Sequence, residues 1–326
     1  MTGGGELQRW LSQPQRQRRT QQGIRGLAGE WRASPERVRF ERTIAALPDP
    51  SAESVAQAVH SLFADHDWVD ALVETMAARV RDDPFFEPPF GYLSSELQSG
   101  LVLIETPLVF IALSVTHAAR LAARKTARRG ATSIGFPGRM IVLKFIRAGG
   151  ARISLWEADP ITADFTAANA GTCRRTGERR LHDGEVLTLD GRCQSYVIEQ
   201  ARSNLLVLQA EISAGEGPLS VEYDSATHEF VGCSAADDGA SRVQMIATLL
   251  RKLGRDDAFE PIAAFLDHKD FFVRWHMMKE LLGIDADAAL PHLKRMAARD
   301  PHPDTRRAAR TVLERLETPQ PRRQAA

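Results

Sequence analysis

The side chains able to bind metal or attack a substrate cluster poorly in this chain. Catalytic or structural metal sites draw on imidazole nitrogen, thiolate, or several carboxylates converging on one point. In the middle of the sequence the histidines are His117, His182 and His228, and all three cysteines, Cys173, Cys193 and Cys233, lie there too. Their spacing matches no ligand motif. An odd cysteine number without a C-x-x-C pair gives neither a disulfide framework nor a zinc cluster. No G-x-S-x-G elbow occurs, nor a glycine loop ending in Gly-Lys-Ser/Thr. The run His182-Asp183-Gly184-Glu185 has an acid–base composition, but a glycine just before a strand reads better as a turn. The sequence therefore offers no catalytic residue, no metal ligand and no cofactor, and leans away from an enzyme.

Polar recognition is easier to build. On an extended segment from Ala151, alternation puts Arg152, Ser154 and Trp156 on one face. After Gly191, Gln194, Tyr196 and Ile198 share a face. An arginine, an indole, an amide and a phenol, Arg152, Trp156, Gln194 and Tyr196, could together hold a polar ligand with an apolar body. Near the C-terminus, Phe271, Phe272, Trp275, Met277 and Met278 crowd into eight residues. That is more apolar surface than one helix face uses. Phe271, Phe272 and Trp275 are candidates for a partner surface, with packing against the middle of the chain as the alternative.

Five regions must position these groups. Residues 1–50 are arginine-rich and read as a partly disordered segment with a short helix near "SPERVRFERTIAAL", where Ser34 can cap and Pro35 suits the first turn. Residues 51–92 read as two amphipathic helices and a linker stopped by the prolines of "DDPFFEPPFGY". Residues 93–235 alternate and are rich in β-branched side chains, with turns at "QARSN" and "DSATH" read as hairpins. One helical patch, "THAARLAARKTARRG", interrupts them. Residues 236–318 return to helical spacing, and 319–326 read as a disordered tail. Many short antiparallel strands without intervening helices point to a barrel or jelly roll.

The helical end carries an internal repeat. Arg242, Arg274 and Arg306 are spaced by 32 residues, as are Leu249, Leu281 and Leu313. "DFFVRWHMMKELL" and "HPDTRRAARTVLERL" resemble the second helix of HEAT-type repeats, and "ASRVQMIATLLRKL" resembles a degenerate first copy. The resemblance implies an α-solenoid in which the turn aspartate and helix arginine join neighbouring repeats. "HDGEVLTLDGRCQSYVIEQ" resembles the second cupin motif: Gly184 starts it, "EVLTL" is the strand, and Asp190-Gly191 makes the turn. Gln194 stands where that family has a metal-binding histidine. Upstream, "RAGGARISLWEADPITADF" takes the place of the first motif and offers Glu157 and Asp159 but no histidine. The fold expected is α+β: a central antiparallel, cupin-like barrel or jelly roll flanked by N-terminal helices and a C-terminal HEAT-like solenoid.

Lys plus Arg and Asp plus Glu are both 42, so the chain is formally neutral. Charge gives no reason to expect nucleic acid, despite the basic run Arg120, Arg124, Lys125, Arg128 and Arg129. The most apolar stretch, Gly100 to Val115, carries Glu105 and Pro107 and is short for a membrane span. A cytoplasmic, non-catalytic protein-interaction or regulatory protein is the expectation, with another protein as partner. A small-molecule sensor or metal-independent enzyme is the alternative.

Overall fold

The computed structural model describes residues 3–127, 133–162, 165–236 and 238–317. Five helices come first: α1 (Gly3–Leu11), α2 (Pro14–Arg32), α3 (Pro35–Ala45), α4 (Ala52–Phe63) and α5 (Asp67–Asp82). The first three replace the partly disordered segment expected from composition. The arginines sit outside, while Leu27, Trp31, Phe40 and Ile44 recur on the inner faces and are buried. Trp31 stacks on Trp68 at 5.4 Å and donates Nε1–H to the Leu103 carbonyl at 2.9 Å. As expected, Ser34 caps α3 by accepting from the Arg37 N–H, with Pro35 in the first turn. Ser51 and Ser54 form a capping box on α4.

Twelve strands follow: β1 (Gly91–Ser94), β2 (Gln98–Glu105), β3 (Val109–Thr116), β4 (Ser133–Phe136), β5 (Met140–Arg147), β6 (Arg152–Glu157), β7 (Arg174–Arg180), β8 (Val186–Asp190), β9 (Gln194–Gln200), β10 (Leu205–Ile212), β11 (Leu219–Asp224) and β12 (Phe230–Ala235). Helix α6 (Ala118–Ala127) lies between β3 and β4, where the basic helical patch was expected. The strands form three antiparallel sheets: β1-β2-β3-β10-β5-β8, β12-β11-β4 and β7-β6-β9. The ladders stay separate, so no hydrogen-bonded barrel closes among the described residues.

"DSATH" does join a hairpin, β11 to β12. "QARSN" does not: β9 pairs with β6 while β10 pairs with β3 and β5, so this turn crosses between sheets. The turn at Asp190-Gly191 crosses likewise from β8 to β9. Gly191 is required there, because a Cβ would meet the Arg139 carbonyl oxygen at 2.3 Å.

The central strands β3, β5 and β10 of the six-stranded sheet are covered on both sides and are mostly apolar, whereas the edge strand β1 is exposed and β8 alternates. One face, with Ile104, Ile111, Val142, Leu208 and Ile212, packs on Val55, Val59 and Phe63 of α4. On that side Lys144 is buried and donates to the last carbonyls of α4, Phe63 at 2.6 Å and Ala64 at 3.2 Å. Burial pushes its ammonium below the usual lysine range, and Asp65 and Asp67 partly oppose that. The other face, with Leu143, Phe145, Leu187 and Val207, packs on Ile153 of β6.

The C-terminal helices are α7 (Asp238–Lys252), the short α8 (Phe259–Ala263) between two 3₁₀ turns, α9 (Phe271–Ile284), α10 (Ala286–Arg299) and α11 (Pro303–Glu317). The 32-residue spacing has a geometric counterpart. Arg274 donates to the carbonyls of His268 and Lys269, and Arg306 donates to those of Asp300 and Pro301. Each arginine thus ties down the turn five and six residues before it. Arg242 is exposed on α7. The expected tail, 319–326, lies outside the described residues.

Candidate functional site

Two adjoining cavities, about 440 Å³ and 250 Å³, open between the inner face of the six-stranded sheet and the β4–β9 side, and both are lined by Gln98 and Tyr196. Ser114 and Gln209 are polar, buried and set among apolar neighbours on β3 and β10. The Ser114 hydroxyl donates to Gln209 Oε1 at 3.1 Å. At the strand ends Gln98 donates to the Thr116 hydroxyl at 3.2 Å. Burial pushes the Tyr196 phenol up to about 12, with the Glu211 carboxylate adding to the rise. Tyr196 therefore stays a neutral hydrogen-bonding group at any ordinary pH.

Helix α6 borders the larger cavity with Leu121, Arg124 and Lys125. Lys125 donates to Glu199 Oε2 at 2.8 Å, and Ser154 donates to Oε1 at 2.5 Å. Burial alone would raise the Glu199 carboxyl, but these two bonds outweigh it and hold it below the usual range. The arrangement can hold a polar molecule by neutral amides and hydroxyls, with cations at the mouth. Among the described residues no three His, Cys, Asp or Glu side chains stand together as a metal site.

Of the four residues expected to meet a ligand, only Tyr196 lines this space. Register explains the separation: Tyr196 pairs with Leu155, and Trp156 pairs with Ser195. Trp156 and Tyr196 therefore point to opposite faces of one small sheet. Trp156 is buried, donates to the Ser154 hydroxyl at 2.8 Å and meets His228 edge-on. Arg152 pairs with Glu178 at 2.7 Å. Gln194, in the place of the cupin histidine, accepts from the Asp190 N–H at 3.1 Å and closes the turn. The residues missed, Ser114 and Gln209, carried a readable signal: each is a polar side chain flanked by apolar residues in a mostly apolar strand.

In the C-terminal helices, Arg274 and Asp300 form a buried two-bond pair at 2.9 and 2.8 Å. Residues 233–314 match the HEAT-repeat family model. Among curated protein sequences, none matches this chain. Solved structures similar to it include an ectoine synthase from P. lautus, 12% identical, covering 38% of this chain and 69% of that one with a TM-score of 0.24. A cupin domain from Bordetella pertussis is 13% identical, covering 37% of this chain and 99% of that one with a TM-score of 0.22. A hydroquinone 1,2-dioxygenase from Sphingomonas sp. TTNP3 is 10% identical, covering 36% of this chain and 66% of that one with a TM-score of 0.24.

The first helix of the HEAT segment is apolar on two sides: Ala240, Val243, Ala247 and Leu250 pack into the HEAT core, and a second apolar row faces outward. Gln244, Thr248 and Arg251 of α7 face α9, where Thr248 donates to Glu280 at 2.9 Å, Arg251 pairs with Glu280, and the Gln244 carbonyl meets His276 at 3.1 Å. Met245, Ile246, Leu249 and Leu253 point outward and are 64%, 55%, 55% and 65% exposed. The expected partner residues lie elsewhere. Phe271 and Phe272 are half-buried against the cluster of Phe136, Trp156 and Tyr223, and Phe272 and Trp275 also pack on the HEAT core. Phe271 and Phe272 thus join the segment to the β region, the alternative the sequence left open.

Proposed function

We propose that this chain is a non-catalytic interaction protein whose HEAT segment docks another protein on the outer face of α7. The carrying observation is the exposed row Met245, Ile246, Leu249 and Leu253. A terminal repeat normally needs a polar outer face to stay in water. Here α7 already packs Ala240, Val243, Ala247 and Leu250 into the core and still carries a second apolar row outward, which suits a covering helix read at helical spacing. No helix among the described residues is long and apolar enough to cross a membrane.

The test is purification from the source cells with and without Leu249→Glu. A partner recovered in fixed stoichiometry with the natural chain, and lost from the variant, is the expected result. Because Leu249 is exposed, its replacement should move the unfolding free energy by no more than about 0.5 kcal/mol. Recovery of the natural chain alone contradicts the proposal.

A second reading rests on the cavities around Tyr196. Their combined size is in the range of small-molecule sites, and they favour a sensor for a small polar molecule. Native mass spectrometry and thermal-shift screening of the natural chain against Tyr196→Phe address it; a panel in which no compound shifts the midpoint removes it.

A further inference from the structure

A separate pocket of about 260 Å³ opens within the HEAT segment, between the turn before α9 and the last turns of α10. On α10, His292, Arg295 and Arg299 fall at i, i+3 and i+7, which is one face of a helix, and all three line the pocket. His268 faces them from the turn. Its Nδ1 accepts the Asp270 N–H at 3.1 Å, which leaves Nε2 as the donor of the neutral ring.

The charges in the pocket do not cancel. At its floor, Arg274 and Asp300 saturate each other. Arg274 uses Nε and Nη2 on Asp300 and Nη1 on two carbonyls, and Asp300 also takes the His302 N–H at 2.8 Å. At the rim, Arg295 has only Asp267, at 3.9 Å, and the Asp267 side chain is 84% exposed. Such a pair is weak in water. Arg299 is exposed and forms no ion pair among the described residues. Arg299 is therefore left without an ion pair among these residues and Arg295 with one weak one to Asp267, which also lines the pocket, while His268, with Asp270 at 3.6 Å from its Nδ1, offers its Nε2–H to the same small space.

We propose that this pocket binds a phosphate monoester. Donors arrive from two elements, α10 and the turn. One planar carboxylate can satisfy one arginine fork, whereas a tetrahedral phosphate offers three oxygens and about −1.5 to −2 charges to several donors at once. At about 260 Å³ the pocket has room for a phosphate head and part of the group that carries it. The shared chemistry is the monoester group, carried by a phosphorylated peptide or a small phosphorylated metabolite.

Binding of inorganic phosphate, a phosphoserine peptide, its unphosphorylated form, glucose 6-phosphate and acetate to the full chain is measured by calorimetry. The same series is run on Arg295→Ala, Arg299→Ala and, as a distant control, Arg242→Ala. The expected result is saturable binding of the phosphorylated ligands, weakened about tenfold or more by either pocket variant and unchanged by the control. The tighter of peptide and sugar phosphate names the source. Because both pocket arginines are exposed, unchanged unfolding midpoints show that the variants are folded. Absence of saturable phosphate binding, equal binding of acetate, or pocket variants within about twofold of the natural chain each overturns the proposal. Leu249→Glu leaves this binding intact, so the α7 reading and this one fail separately.

Discussion

The Asp300 carboxylate is buried, and both of its oxygens are engaged by Arg274, with the His302 N–H adding a third bond. Removing one partner strands the other charge away from water. Asp300→Ala is therefore expected to cost about 3–5 kcal/mol, read by denaturant unfolding of the full chain; a loss below about 1 kcal/mol would show the guanidinium finding water instead. Glu199 gives a pH-dependent counterpart. Its folded pKa is depressed, so its contribution is present above the ordinary carboxylate range and lost as pH falls through the folded value. Glu199→Gln should lower the melting temperature at neutral pH and flatten its decline on acidification. A decline as steep as that of the natural chain would assign acid sensitivity to other carboxylates. The 32-residue spacing was legible in sequence, and two of its three arginines, Arg274 and Arg306, each bridge the turn before them, while Arg242 is exposed. The ligand set was not. Alternation fixes which residues of one strand share a face, but not which face of a neighbouring strand joins it, so Trp156 and Tyr196 were read together while register sets them back to back.

At the scale of elements, composition misled where burial is sparse but decisive. Helices α2 and α3 are mostly exposed and arginine-rich, yet four apolar side chains anchor them, and Trp31 both packs and hydrogen-bonds into the sheet. Trp31→Ala should cost about 3–5 kcal/mol, the usual loss for a buried aromatic, and raise hydrogen exchange across α2 and α3. If exchange there stays slow, the helices hold without this anchor. Strand β7 shows the opposite case: "RRTGERR" has no apolar alternation at all. It is an edge strand of the β7-β6-β9 sheet, and charged side chains protect an edge from pairing with another chain. The turns at Asp190-Gly191 and "QARSN", read from their Gly, Asp and Asn residues, do bound β8, β9 and β10. Their assignment to different sheets was hidden, since a turn that crosses between layers uses the same Gly, Asp and Asn as a hairpin.

The whole molecule is held together where the HEAT segment meets the β region, and the contact there is mixed. Phe271 stacks on His302 at 3.6 Å between ring centroids, and Phe271 and Phe272 reach the cluster around Trp156. His302 Nε2 donates to the Phe165 carbonyl at 3.1 Å, a direction fixed because a carbonyl only accepts. The Ala167 N–H donates to Asp304 at 3.1 Å. This contact excludes one simple picture, a helical reader swinging free on a linker, since β12 runs almost directly into α7 and two polar bonds clamp the far end. Phe271→Ala tests how tightly the two parts are coupled. The ring is half-buried, so a loss of about 1–2 kcal/mol is expected, below the 3–5 kcal/mol of a fully buried phenylalanine. If the parts unfold as one unit, the variant keeps a single transition at a lower midpoint. If the stack is the main coupling, the transition splits, and the HEAT segment melts first while the Trp156 cluster gains hydrogen exchange. An unchanged midpoint with unchanged exchange would mean that the His302 and Asp304 bonds hold the junction without the ring.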